Sequence, residues 1–297
     1  MWRDDAVMDE STFTFPSSDD TPIHVYRWSP PGEPTAIVQL AHGMGEHAAR
    51  YRRLAEALTA AGYVVYANDH RGHGHTAGSV AAQGDLGDDG WQALVDDIGR
   101  LSAIAREEHP GVPLVVVGHS MGSFALQQYL LDRSDELDGA ILTGTSALDV
   151  IGAGIDPDAE VDLSAFNAPF EDRTGYEWLS RDESEVDLYV ADEACGFGLD
   201  PASTRSMLDR LGPTSDPERL AGIRSDLPIL LVSGDADPLA GGGALIDTVA
   251  QRYRDAGVAD VTVHLYPEAR HEVVNETNRD EVTADVLAWL ERVTNAA

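Results

Sequence analysis

The chain of 297 residues is 43% hydrophobic, ample for a large core, and its length suggests two domains, although α/β folds often reach this size as one. Its 52 acidic residues outweigh 20 basic ones, all of them arginine, for a formal charge of −32, which argues against nucleic acid and anionic lipid headgroups as partners. The single cysteine, Cys195, allows no intrachain disulfide and fits a cytoplasmic protein; no run nears the ~20 apolar residues of a membrane helix, and Met1–Asp5 carries no apolar signal region.

The predicted elements alternate along the chain. Thr12–Phe15 and Ile23–Trp28, with a turn at Ser17–Asp20, read as an opening antiparallel pair. Thr35–Ala41 is a short buried strand. In Arg50–Ala61 the apolar residues Leu54, Ala57, Leu58 and Ala61 recur at helical spacing before Gly62 ends the helix. Tyr63–Ala67 is a strand, and Trp91–His109 is a long amphipathic helix stopped by Pro110-Gly111. Leu114–Val117 is a strand, Ser123–Arg133 a helix and Gly139–Thr143 a strand. After a break come strands at Leu227–Ser233 and Val261–Tyr266, with helices near Gly243–Ala256 and Arg279–Val293. Continuous apolar strands alternating with helices predict a parallel sheet covered on both faces.

The break runs from about Ala147 to Ser225. It is rich in Asp, Gly, Pro and Ser, with Phe166, Phe170, Tyr176, Trp178, Tyr189 and Phe197 scattered through it. It predicts short helices and loops over the carboxyl edge of the sheet, where open α/β sheets bind ligands. The expected division is a core of residues 1–146 and 226–297 with a cap insertion at 147–225.

Val112–Gly122 reads V-P-L-V-V-V-G-H-S-M-G. That is G-x-S-x-G between a buried strand and a helix, the nucleophile elbow of an α/β-hydrolase. The turn is so tight that a side chain two residues to either side of Ser120 is expected to collide with the neighbouring strand or helix. A Ser hydroxyl needs a base to take its proton and an acid to orient that base. In this fold the chain order is Ser, acid, His. Of the two histidines after residue 235, His264 is fixed within the strand Val261–Tyr266, whereas His271 lies in a loop after it; His271 is the expected base. For the acid, Gly234-Asp235-Ala236-Asp237 offers Asp237, four residues past the apolar end of its strand, with Asp235 and the more remote Asp149 as alternatives. The tetrahedral intermediate needs two N–H donors. Met121, after the nucleophile, supplies one, and Met44 in His42-Gly43-Met44-Gly45-Glu46-His47 supplies the other.

Asp69-His70-Arg71-Gly72-His73-Gly74-His75 has the composition of a metal site, but no partner cluster lies elsewhere, so it is read as a structural loop flanking the site. Neither GxxxxGK[ST] nor GxGxxG after a strand occurs. No metal or organic cofactor is expected.

Taken together, His42–His47 with Arg50-Tyr51 after it, Asp69–Gly74, Gly118–Gly122, Gly234–Asp237 and His271 resemble the monoacylglycerol lipase and lysophospholipase-like branch of the α/β-hydrolases, grouped with the serine aminopeptidases. Phe166-Asn167 and Trp178–Asp182 resemble bacterial members of the branch, and the resemblance runs from about Phe13 to Leu290. It implies an α/β-hydrolase fold with a mostly parallel central sheet flanked by helices and a helical cap insertion. It implies a triad of Ser120, Asp237 and His271, favouring Asp237 over Asp235 by the G-x-x-D spacing, with Met44 and Met121 as oxyanion donors. The implied activity is hydrolysis of small-molecule acyl esters, such as monoacylglycerols or lysophospholipids; the lack of a long apolar run separately predicts no stable membrane insertion. The alternatives are a peptidase of the same fold and a non-catalytic ligand-binding protein built on it. The acidic residues are spread along the chain rather than gathered in a tail, which fits either adaptation to high salt or an Arg-for-Lys genomic bias.

Overall fold

The computed structural model describes residues 8–88 and 90–295; Met1–Asp5 lie outside the described residues. Eight strands form one sheet in the order β1-β2-β4-β3-β5-β6-β7-β8. β1 (Asp9–Pro16) and β2 (Pro22–Ser29) make the antiparallel pair, and β2 joins β4 (Tyr63–Asn68) antiparallel. β3 (Ala36–Ala41), β4, β5 (Leu114–His119), β6 (Gly139–Thr143), β7 (Ile229–Gly234) and β8 (Val261–Tyr266) run parallel to one another. All their carboxyl ends therefore meet at one edge.

The central strands are apolar throughout because both faces are covered, yet period-2 geometry still sorts their side chains. Ile37, Val116 and Leu231 pack into one layer with α2 (Gly90–Glu108), α3 (Met121–Arg133) and α6 (Ala244–Asp255). Their neighbours Val38, Val115 and Leu230 pack into the other layer with α1 (Arg52–Ala60) and α7 (Arg279–Thr294). The predicted helix at Arg50–Ala61 begins as a 3₁₀ turn, Ala48–Tyr51, before α1. β8 is an edge strand whose residues Val261–His264 are half-buried.

Between β6 and β7 the chain leaves the sheet. This inserted stretch holds a short helix Leu148–Gly152, then α4 (Glu183–Ala191) and α5 (Pro201–Leu211), joined by single 3₁₀ turns and loops. Asp182 and Asp200 cap α4 and α5, accepting from Ser184 and Ser203 amides. Trp178, Tyr189, Met207 and Leu211 are buried against the core layer that contains α3. No described helix is long and apolar enough to cross a membrane.

Candidate active site

Ser120 joins β5 to α3 with φ 49° and ψ −119°. A non-glycine residue held there costs about 1–3 kcal/mol and persists only when its surroundings impose it. Close packing imposes it: a Cβ on Gly122 would stand 2.1 Å from the Ala41 carbonyl oxygen, and one on Gly118 would stand 2.6 Å from the Gly122 carbonyl oxygen. The bare glycines let strand and helix approach closely enough to form the turn. The Ser120 amide donates to the Thr143 carbonyl at 2.9 Å, while its carbonyl accepts from the Phe124 amide at 3.0 Å and the Ser123 hydroxyl at 2.6 Å. Only the Ser120 side chain is left uncommitted, half-buried at the wall of a cavity.

His271 lines the same cavity, from the loop after β8. Its Nδ1–H donates to Asp237 Oδ2 at 2.8 Å, and both residues are buried. The other Asp237 oxygen accepts the Leu239 amide at 2.9 Å, which fixes the carboxylate. Burial pulls the His271 pKa down, but the facing Asp237 carboxylate, with Glu272 and Glu46, outweighs it and leaves the imidazole above its ordinary 6.5. The alternatives are engaged elsewhere. Asp235 accepts the Glu268 amide at 2.6 Å, Asp149 holds Arg252 through both oxygens, and His264 faces Asp285 at 3.5 Å.

The loop after β3 brings Met44 to the cavity beside Met121. Its two neighbouring amides are occupied: Gly43 N–H donates to Glu46 Oε1 at 2.6 Å, and Gly45 N–H to His73 Nε2 at 3.2 Å. The Met44 and Met121 amides have no acceptor among the described residues. Helix geometry explains the second, since first-turn amides lack an intrahelical partner.

The histidine-rich loop braces this turn. His42 Nδ1–H donates to the Gly43 carbonyl at 2.8 Å, and its Nε2 accepts the His70 amide at 2.9 Å. His73 Nδ1–H donates to the Arg71 carbonyl at 2.7 Å, and Asp69 accepts the Ala48 and His75 amides at 2.9 and 2.7 Å. Burial holds His70 at about 3 and His73 at about 4, so both are neutral scaffolding. Among the described residues the one grouping with metal-ligand spacing lies elsewhere: His47, Asp192 and Cys195 have donor atoms within 4.8 Å of one another, and His47 Nε2 already bonds Asp192 Oδ2 at 2.9 Å.

The cavity measures about 430 Å³, and its interior is apolar, lined by Phe124, Ile155, Val161, Leu163, Phe166 and Met207. Such a space suits a hydrocarbon chain with one polar linkage at the serine.

Three neighbours of the site escaped sequence reasoning. The Trp178 ring lies 4.7 Å from the His271 ring, and the His271 and Glu272 amides donate to the Trp178 and Leu179 carbonyls at 3.2 and 2.8 Å. The His119 ring lies 4.8 Å from the His271 ring, and its pKa is pushed down to about 4 by burial and by that neighbour. Arg50 bridges Glu46 and Glu272. All three lie in segments that carried the resemblance, Trp178–Asp182, Gly118–Gly122 and Arg50-Tyr51, but none was given a role there.

Residues 32–278 match the family model described as serine aminopeptidase, S33. The chain is 36% identical over 269 residues to a monoacylglycerol lipase of Mycolicibacterium smegmatis, covering 89% of this chain and 90% of the relative. It is 31% identical over 271 residues to mouse monoglyceride lipase, covering 88% and 82% respectively. A thermostable carboxyl esterase from Bacillus coagulans, solved in complex with glycerol, superposes with a TM-score of 0.86 at 27% identity, over 97% of this chain and 100% of that one.

Proposed function

The chain belongs to the serine aminopeptidase S33 family and hydrolyses carboxylic esters, and from that premise we propose that Ser120, His271 and Asp237 carry the reaction on acylglycerols. His271 Nε2 takes the Ser120 hydroxyl proton as Oγ attacks the ester carbonyl. The resulting oxyanion rests on the Met44 and Met121 amides. Collapse breaks the bond to the alcohol oxygen, which receives the proton from His271 and departs. Water then attacks the acyl-enzyme, giving its proton to the same imidazole, and the acid is released as the Ser120 hydroxyl re-forms. Asp237 holds the ring in the tautomer that leaves Nε2 free to accept and stabilises the imidazolium.

In this reading residues 147–225 cap a core built from residues 1–146 and 226–297. The cap's Trp178–Leu179 carbonyls, bonded to the His271 loop, support that division. The glyceride assignment draws support from the monoacylglycerol lipases among its relatives and from the apolar cavity.

The observation that carries the mechanism is the strained serine sharing one cavity with a histidine buried on a carboxylate. Ser120→Ala lowers kcat on a p-nitrophenyl ester by about 10⁴–10⁶ with the fold intact, and a fluorophosphonate labels the parent enzyme at Ser120 but not the variant. Near-full activity in Ser120→Ala, or a label on another residue, contradicts the assignment.

A further inference from the structure

Arg50 stands where three parts of the site meet. Its guanidinium reaches Glu46 Oε2 at 2.6 Å and both oxygens of Glu272, at 2.5 and 2.7 Å. Its side chain is only 12% exposed, and its two acidic partners are 4% and 5% exposed. Glu46 is the carboxylate whose other oxygen takes the Gly43 amide at 2.6 Å and the Tyr51 hydroxyl at 2.7 Å. Glu272 follows His271 directly and also accepts the Asn275 side-chain amide at 2.9 Å. The third part is α4, whose Tyr189 ring lies 4.8 Å from the guanidinium carbon while its hydroxyl donates to the Gly45 carbonyl at 2.8 Å.

Two properties of this arrangement matter for chemistry. A planar guanidinium is the one side chain that can grip two carboxylates in fixed directions at once. Two carboxylates this close together and this deeply buried are stable only with a cation between them.

We infer that Arg50 is a positioning residue for ester hydrolysis: by gripping Glu46 and Glu272 together it locks the Met44 turn to the His271 loop, and it cancels two negative charges that would otherwise act on the base. The inference rests on the triad reading above. It assigns Arg50 no contact with substrate.

The charged and titratable groups around His271 are few. Asp237 faces it from the loop after β7, His119 from the end of β5, Glu272 from its own loop and Glu46 from the loop after β3. Glu272 and Glu46 both favour the imidazolium, and Arg50 is the cation that offsets them. Arg50 also overcomes burial to hold the Glu272 carboxyl at about 2, so the carboxylate is charged across the working range.

The test is the pH profile of kcat and KM for a neutral, soluble p-nitrophenyl ester. Arg50→Met is expected to lower kcat by about 10²-fold, the effect of losing one aligned oxyanion donor, with KM within about threefold. The acid limb of kcat/KM should move to higher pH, because without the guanidinium the pair takes up one proton and the carboxylate that stays ionised holds a proton on His271. Adding Glu272→Gln to Arg50→Met should return the acid limb towards the parent position without restoring kcat. If Arg50→Met does not fold, Arg50→Lys decides: a single ammonium keeps the charge but not the double grip, so the acid limb stays near the parent while kcat falls. An unmoved acid limb in Arg50→Met, or parent kcat in Arg50→Lys, overturns the inference. A silent Ser120 with Arg50 intact would instead remove the triad reading beneath it.

Discussion

At His271 two forces oppose each other. Burial disfavours the imidazolium, and the Asp237 carboxylate 2.8 Å away, together with Glu272 and Glu46, favours it more strongly. Because only the neutral ring can accept the serine proton, kcat/KM should fall as pH drops through a value above 6.5. Asp237→Asn removes the largest raising influence and leaves burial opposed only by the more weakly acting Glu272 and Glu46, so the inflection should move to lower pH while kcat drops about 10⁴-fold. A pH–rate series on one neutral ester checks both; an inflection in the variant at or above that of the parent contradicts the electrostatic account. These candidates could be picked from the sequence because each proposed chemical role demands a fixed place relative to a strand end: Ser120 after β5, an acid after β7, a histidine after β8. Asp235 and Asp237 were harder to separate, since both follow Gly234. The deciding fact, that Asp235 is taken up by the Glu268 amide, depends on a loop 33 residues away. Arg50 stood among the motif residues, but its pairing was illegible for the same reason, its partner Glu272 lying 222 residues along the chain.

At the scale of elements, the inserted stretch supplies much of the cavity wall around the serine. Every exposed residue that lines the cavity falls between Gly154 and Ala165, so the opening is there. Three of those residues are carboxylates, Asp156, Glu160 and Asp162, and no arginine among the described residues lines the cavity. A charged cleft of this kind changes encounter rates by about 10–10³-fold. A decanoyl ester of choline should therefore show a higher kcat/KM at low ionic strength than its uncharged dimethylbutyl isostere, and the gap should close in molar salt. Equal values for the two esters at low salt would mean that the rim carboxylates do not act on the approaching substrate. The sequence located this stretch by the loss of strand and helix periodicity. It did not reveal that the Trp178–Leu179 backbone would receive the His271 loop, because two irregular segments pairing through carbonyls leave no periodic trace.

Across the whole molecule, charge sets the response to solution conditions. Most described arginines already sit in ion pairs, such as Arg219 with Asp132 and Arg292 with Asp260. With 52 acidic residues against 20 arginines, more than half of the carboxylates have no cation available. Exposed pairs of this kind contribute about 0–1 kcal/mol each and weaken with salt, whereas the buried Arg50 and Arg71 pairs are shielded from it. The surplus carboxylates repel one another over distances that shrink from about 10 Å at 0.1 M salt to about 3 Å at 1 M. Screening therefore removes more repulsion than attraction, and the thermal unfolding midpoint should rise between millimolar and molar sodium chloride. Scanning calorimetry across that series measures it directly. A midpoint indifferent to salt would show that the surplus carboxylates lie too far apart to destabilise the fold, and would remove adaptation to high salt as the reason for them.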